Sequence, residues 1–199
     1  MVNMWWMKAA VWLTAVLAWN LAYAELNSRG VQLGVFWESP GIYKPWAVYP
    51  YVFGPIILLI LPLVRNWRAR RLYPMLAAYS VAIALSFAVY YFYPVVMVRI
   101  DYQGLGLADR LMRLVVSADD PANCFPSSHC MFAILGAWYV RAGGAGWSTS
   151  AACAVLAALV CLSTVLVGQH FWLDIPGGAA AAFIGISTAR RWKLASADL

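Results

Sequence analysis

The sequence predicts an all-α fold, a polytopic membrane helical bundle of about six transmembrane helices, and three observations carry that expectation. The 199 residues are 64% hydrophobic and only 11% charged, whereas a soluble domain carries about 25% charged residues. The apolar residues fall in runs near the roughly 20 residues needed to cross a bilayer. The basic residues stand at the ends of those runs, where they act as orientation signals. A formal net charge of +6 raises nucleic-acid binding, but no basic stripe interleaved with aromatics exists, so no nucleic-acid partner is expected.

The first span reads from about Trp5 to Ala24, the second from Trp46 to Val64 and the third from Leu72 to Val95, with Pro94 ending it. The fourth begins near Pro126 and ends near Val140, the fifth covers Ser150 to Gly168, and the sixth runs from Asp174 to about Ala189. The fourth and sixth are short, and each has a polar end suited to the interface. With the N-terminus inside, nine of the fourteen Lys and Arg are cytoplasmic, and the loop RNWRARR is the strongest signal. Ala22-Tyr23-Ala24 resembles a signal-peptidase site, but the Trp-rich start and the long apolar run fit a retained helix better. Between the third and fourth spans, ADRLMRLV reads as an amphipathic turn on the membrane surface, with Leu111, Leu114 and Val115 facing one way. Residues 1–199 read as a single membrane-embedded domain. Gly177, Gly178 and the following alanines form a small-residue face that lets helices approach closely. The four cysteines have no metal-ligand spacing and read as small buried hydrophobes.

The chain has two histidines, His129 and His170, and both fall at the outer face on this topology. Asp174 follows His170 by four residues, so on a helix the two share a face and can hydrogen-bond. A carboxylate beside an imidazole holds one tautomer and raises its basicity, which suits a nucleophile or base. Asp174 also reads as the N-cap of the sixth helix, and the two readings are compatible. In Phe125-Pro126-Ser127-Ser128-His129, Pro126 fits a first helical turn. Free N–H groups there, with the Ser127 and Ser128 hydroxyls, form an anion seat beneath His129. The plain alternative is a capped helix start carrying an interfacial histidine.

Together these residues resemble the type 2 phosphatidic-acid-phosphatase superfamily, which includes haloperoxidases and lipid phosphotransferases. Its three motifs are Lys-x6-Arg-Pro, Pro-Ser-Gly-His and Ser-Arg-x5-His-x3-Asp. Here the second is PSSH, residues 126–129, and the third is STVLVGQHFWLD, with Ser163, Thr164, His170 and Asp174 in register. Of the first only Arg99 survives, with Phe92 at the lysine position and Ile100 at the proline. The resemblance covers the six-span layout and roughly residues 90–180.

The resemblance implies that His170 attacks phosphorus to give a phosphohistidine, that Asp174 orients it, and that His129 protonates the leaving alkoxide. Arg99, Ser127 and Ser128 would bind the substrate phosphate. It implies an integral membrane lipid-phosphate phosphatase, with lipid phosphate as substrate and no metal or cofactor. The site would face the periplasm or exterior of a bacterial inner membrane. The missing lysine and the Thr164 in place of arginine thin the cationic clamp. That favours an alternative: a lipid phosphotransferase moving a phospho-headgroup between lipids, as in sphingomyelin or inositol phosphorylceramide synthases. NCFPSSH and GQHFWLDIPGG look closer to the latter branch. Arg110 or Arg113 could fold back to supply charge, though a solvated or headgroup-facing role is the first reading; Asp119 and Asp120 could meet a polyol headgroup or serve as loop and cap residues. A zinc site built on His-x3-Asp and a distant His, and a decayed non-catalytic site, complete the alternatives.

Overall fold

A computed structural model describes residues 5–28, 36–38, 41–67 and 69–195. The chain forms α1 (Trp5–Ser28), α2 (Val48–Arg65), α3 (Ala69–Phe92), α4 (Leu107–Ala118), α5 (Ser128–Ala142), α6 (Trp147–Leu166) and α7 (Asp174–Ala195). A 3₁₀ turn, Pro45–Ala47, leads into α2. Two three-residue strands, β1 (Phe36–Glu38) and β2 (Val96–Val98), pair in parallel with Phe36 opposite Val96. The all-α expectation therefore holds, and each of the six expected spans has its helix.

The boundaries shift for local reasons. α3 stops at Phe92 because the residue before a proline avoids helical dihedrals, and Pro94 follows at once. α6 stops at Leu166 because Gly168 turns the chain with φ of 68°. Among the described residues, three helical segments are long and apolar enough to cross a membrane: Pro45–Arg65, Arg71–Phe92 and Trp147–Leu166. The first and third of these carry Phe53, Ile57, Ile60 and Val155, each about half exposed. Such a belt has no place in water, so the molecule is an integral membrane protein.

The connectivity sorts the helix ends. α2 ends, α3 begins, α5 ends and α6 begins at one end of the bundle, where Arg71 donates to Gly143 O (2.7 Å) and Arg141 to Ala145 O (3.1 Å). The opposite end collects the start of α2, the end of α3, the start of α5, the end of α6 and the start of α7. His129, His170 and Asp174 all lie at this second end, away from the basic loop. α4 lies there too, and it corrects the sequence reading of its face. Ala108, Leu111, Met112 and Val115 pack inward with Tyr51 and Val167, while Leu114 points outward and is 66% exposed.

Small residues set the helix spacing. A Cβ on Gly136 of α5 would stand 2.1 Å from Leu58 O of α2, and one on Gly178 of α7 would stand 2.5 Å from Ser127 O. Backbone atoms cannot retreat as a side-chain tip can. Gly136→Ala is therefore expected to separate α2 from α5 and destabilise the bundle by about 1–3 kcal/mol or more. A thermal unfolding scan in detergent checks it; an unchanged Tm would refute the close approach.

Candidate active site

His170 does not sit on a helix. It lies in the tight turn between α6 and α7, so the four-residue spacing to Asp174 is closed by a turn rather than a helical face. Thr164 O at the end of α6 accepts both Gln169 N and His170 N, each at 3.1 Å. The turn reverses through Gly168, whose positive φ a β-carbon would strain. These backbone constraints present the imidazole to the loop before α5.

The ring is held on both nitrogens. Nδ1 is 2.9 Å from Asp174 Oδ2 and 3.0 Å from Cys124 O. Both neighbours are acceptors, so Nδ1 carries the proton and donates to them. Nε2 is thereby left with its lone pair, which faces Ser127 Oγ at 3.3 Å. Asp174 is wholly buried, and its Oδ2 accepts a second bond from Phe171 N at 2.9 Å, while Oδ1 is buried with no partner. Its side chain thus turns back toward the His170 turn instead of capping α7, which corrects the N-cap reading.

The proline reading is also corrected. α5 begins at Ser128, Ser127 is its N-cap, and Pro126 stands one residue earlier, with its carbonyl bound by Tyr90 OH at 2.6 Å. Ser127 Oγ accepts from Cys130 N at 3.4 Å, and Ser127 N donates to Asp174 O at 3.2 Å. One backbone bond therefore ties the PSSH segment to the His-x3-Asp segment. Ser127 is a shared hinge of the site. Ser128, by contrast, is buried beside Tyr90 and lines the cavities described next.

His129 lies one residue into α5. Its ring stacks on Tyr51 of α2 (centroids 4.5 Å apart, planes 19° apart) and faces the His170 ring at 5.8 Å and 68°. Its Nδ1 is buried without a partner. Two connected cavities meet at His129 and Ser128. One, of about 320 Å³, runs between α1, α2, α3 and α5, and its wall is apolar: Trp19, Ile56, Leu59, Leu76, Tyr79 and Phe132 are among its residues. The other, of about 490 Å³, opens toward α4 and is bordered by Tyr23, Tyr51, Val115 and Asp119. The first cavity is thus an apolar cleft between membrane helices with the His129 imidazole in its lining.

The cations behave differently from expectation. Arg99 lies after β2 with its side chain 11% exposed, and Asp119 engages it. Nη2 is 3.1 Å from Asp119 Oδ2 and 3.2 Å from Asp120 O, and Nη1 also donates to Asp119 O. Its Nε is buried and unpartnered. Arg113 donates to Tyr102 O (2.6 Å) and Gly104 O (2.7 Å), and Arg110 donates to Leu105 O (3.2 Å). Both arginines of α4 thus staple the loop ahead of their own helix. They do not reach the histidines. Thr164, at the position of the family's arginine, is wholly buried with its hydroxyl bonded to Cys161 O.

Several site residues escaped the sequence reading. Nothing local in the sequence marks Tyr51 as the platform of His129. Gln169 and Tyr102 form a buried pair (Nε2 to OH, 2.6 Å), and Tyr102 OH donates on to Val167 O beneath the His170 turn. Cys124 supplies the carbonyl on Nδ1. Its thiol is pushed up to about 12 by burial and then by the Asp174 charge, so it remains a neutral thiol directed at Pro121 O. All four cysteines are free. Among the described residues no three His, Cys, Asp or Glu side chains converge as ligands for a metal ion.

A buried carboxylate–imidazole pair faces a second imidazole at one end of a membrane bundle, and such a pair can move protons or present a nucleophilic nitrogen. A sequence model of the PAP2 superfamily matches residues 102–197, and that segment belongs to this superfamily of phosphatases and related phosphotransferases. The match contains PSSH and His-x3-Asp and leaves out Arg99. No curated protein and no solved structure matches the chain.

Proposed function

We propose that the chain is a lipid-phosphate phosphatase acting through a phosphohistidine at His170, with the active site on the outer face of the membrane. The observation that carries this reading is the polarised His170 ring, protonated at Nδ1 by its partners and open in lone pair at Nε2, standing 5.8 Å from His129 where the apolar cavity ends. Nε2 attacks phosphorus as the bond from phosphorus to the lipid oxygen breaks. His129 gives its proton to that leaving oxygen. It then takes a proton from water, whose oxygen displaces His170 and releases phosphate. Asp174 offsets the positive charge that grows on the imidazole in both steps. Ser127 donates to whichever partner occupies the space before Nε2: the lone pair at rest, a phosphoryl oxygen once substrate is bound.

A second reading has its own support. Arg99 is paired with Asp119, and Arg110 and Arg113 are tied to carbonyls, so these three described arginines leave little free positive charge for a dianion. A singly charged phosphodiester suits such a site, and a second lipid's hydroxyl in place of water would make the chain a headgroup transferase. Purified protein in mixed micelles with a lipid phosphomonoester should release inorganic phosphate, be inhibited by vanadate and resist chelators. Absence of phosphate release, together with headgroup exchange between labelled lipids, would replace the first reading by the second. Loss of activity with chelator, restored by zinc, would overturn both.

A further inference from the structure

We infer that Asp119 biases this site toward singly charged over doubly charged phosphate, by presenting its carboxylate at the border of the larger cavity while it engages Arg99 in an ion pair. The inference rests on the phosphoryl-transfer role proposed above. Asp119 follows α4 directly and borders the larger cavity together with Tyr51, Ser128 and His129. It binds Arg99 through both its carboxylate and its backbone carbonyl. Arg99 is nearly buried, and its remaining polar atom, Nε, has no partner. The charges of Asp119, Arg99 and Asp174 all act on Cys124, whose carbonyl touches the His170 ring, so this ion pair and the nucleophile share one electrostatic neighbourhood.

A phosphoryl group reaching His129 through that cavity therefore meets the Asp119 carboxylate at its border, with the Arg99 guanidinium already engaged by it. To use Arg99 it must share the guanidinium with Asp119 or displace it. Repulsion from the carboxylate scales with the charge on the incoming group, so a monoester dianion is opposed twice as strongly as a diester monoanion. A phosphomonoester also changes charge near its second pKa of about 6. Below that pH it resembles the diester in charge and escapes the penalty. Among the described residues, the titratable and charged groups within electrostatic reach of Asp119 include Arg99 from the loop after β2, Tyr23 of α1, Tyr51 of α2, Tyr90 of α3 and Cys124 of its own loop. Tyrosines and cysteines ordinarily titrate well above this range and arginine higher still. His129 and His170 serve both substrates, so a ratio of rates cancels any contribution from them.

The test uses the full chain in lipid nanodiscs with two probes sharing one acylglycerol: its phosphomonoester and the methyl phosphodiester. Release of phosphate or methyl phosphate is followed from pH 5 to 8.5 for wild type, Asp119→Asn and Asp119→Glu. The wild-type ratio of monoester to diester kcat/KM should fall as pH rises through about 6. Asp119→Asn should raise that ratio at pH 8 by about tenfold, mainly through KM, and flatten its pH dependence. Asp119→Glu, which keeps the charge, should retain the wild-type profile. If Asp119→Asn leaves both the ratio and its pH profile unchanged while turnover persists, charge selection by Asp119 is overturned. If Asp119→Asn loses all turnover while Asp119→Glu retains it with an unselective ratio, the carboxylate merely supports structure, and the inference again fails. If wild type turns over neither probe, the phosphoryl-transfer role fails first and takes this inference with it.

Discussion

His170→Ala is expected to reduce turnover of a lipid phosphate by at least about 10⁴-fold, which is on the order of 5.5 kcal/mol of transition-state stabilisation. The loss follows from the ring's position. Nδ1 is committed to Asp174 and Cys124 O, and Nε2 is the ring nitrogen left with a lone pair, facing Ser127 Oγ. No other described nucleophile stands in its place: the Cys124 thiol points to Pro121 O and is kept protonated by burial. The variant should still fold, because the turn is held by backbone bonds from Thr164 O to residues 169 and 170. The decisive measurement pairs steady-state turnover with rapid-quench labelling from a radiolabelled lipid phosphate. Wild type should show an acid-labile phosphoprotein that the variant lacks. Retained turnover in His170→Ala, with the fold intact by Tm, would assign the nucleophile elsewhere.

Asp174→Asn is expected to cost about 10²–10⁴-fold in turnover with a small change in substrate affinity. Asp174 Oδ2 accepts both from His170 Nδ1 and from Phe171 N. An asparagine oxygen at that position preserves both bonds, so the ring keeps its place. The negative charge that offsets a positively charged imidazole is gone, and an amide group now fills the buried spot of the unpartnered Oδ1. Both effects act as charge develops on His170, so kcat should fall far more than KM rises. Phosphoryl transfer to His170, read by quench labelling, should slow in proportion. A variant that lost lipid binding instead, with its burst rate intact, would make Asp174 a structural residue alone.

Much of this was legible in the chain itself. The charge arrangement around RNWRARR located one end of the bundle, and the apolar runs located the helices that meet there. His170 and Asp174 were visible as a pair because four residues is a short distance in a turn as well as in a helix. That is why the pairing held although the helical reason for it did not. Ser127 was visible as a polar residue at a helix start, but its bond from N–H to Asp174 O links segments 47 residues apart and has no local signal. The amphipathic turn was visible too, yet Leu114 was placed on the wrong face, because Met112 and Ala108 form the buried stripe against α2.

What the sequence by itself determined is the helical membrane class, the end of the bundle that holds the polar motifs, and the identity of the two imidazoles and the carboxylate. Those properties depend on composition, spacing and order, all of which are local. The tertiary structure alone decided how much positive charge the site has, what platform His129 stands on and what shape of substrate can reach it. Arg99 is a cation in the sequence and half of a neutral pair in the fold, because Asp119 comes back beside it across a separation of 20 residues. Tyr51 of α2 stands against His129 of α5 because those two helices pack closely at Gly136. A charge can be counted along a chain, but its field depends on which opposite charge the fold sets against it.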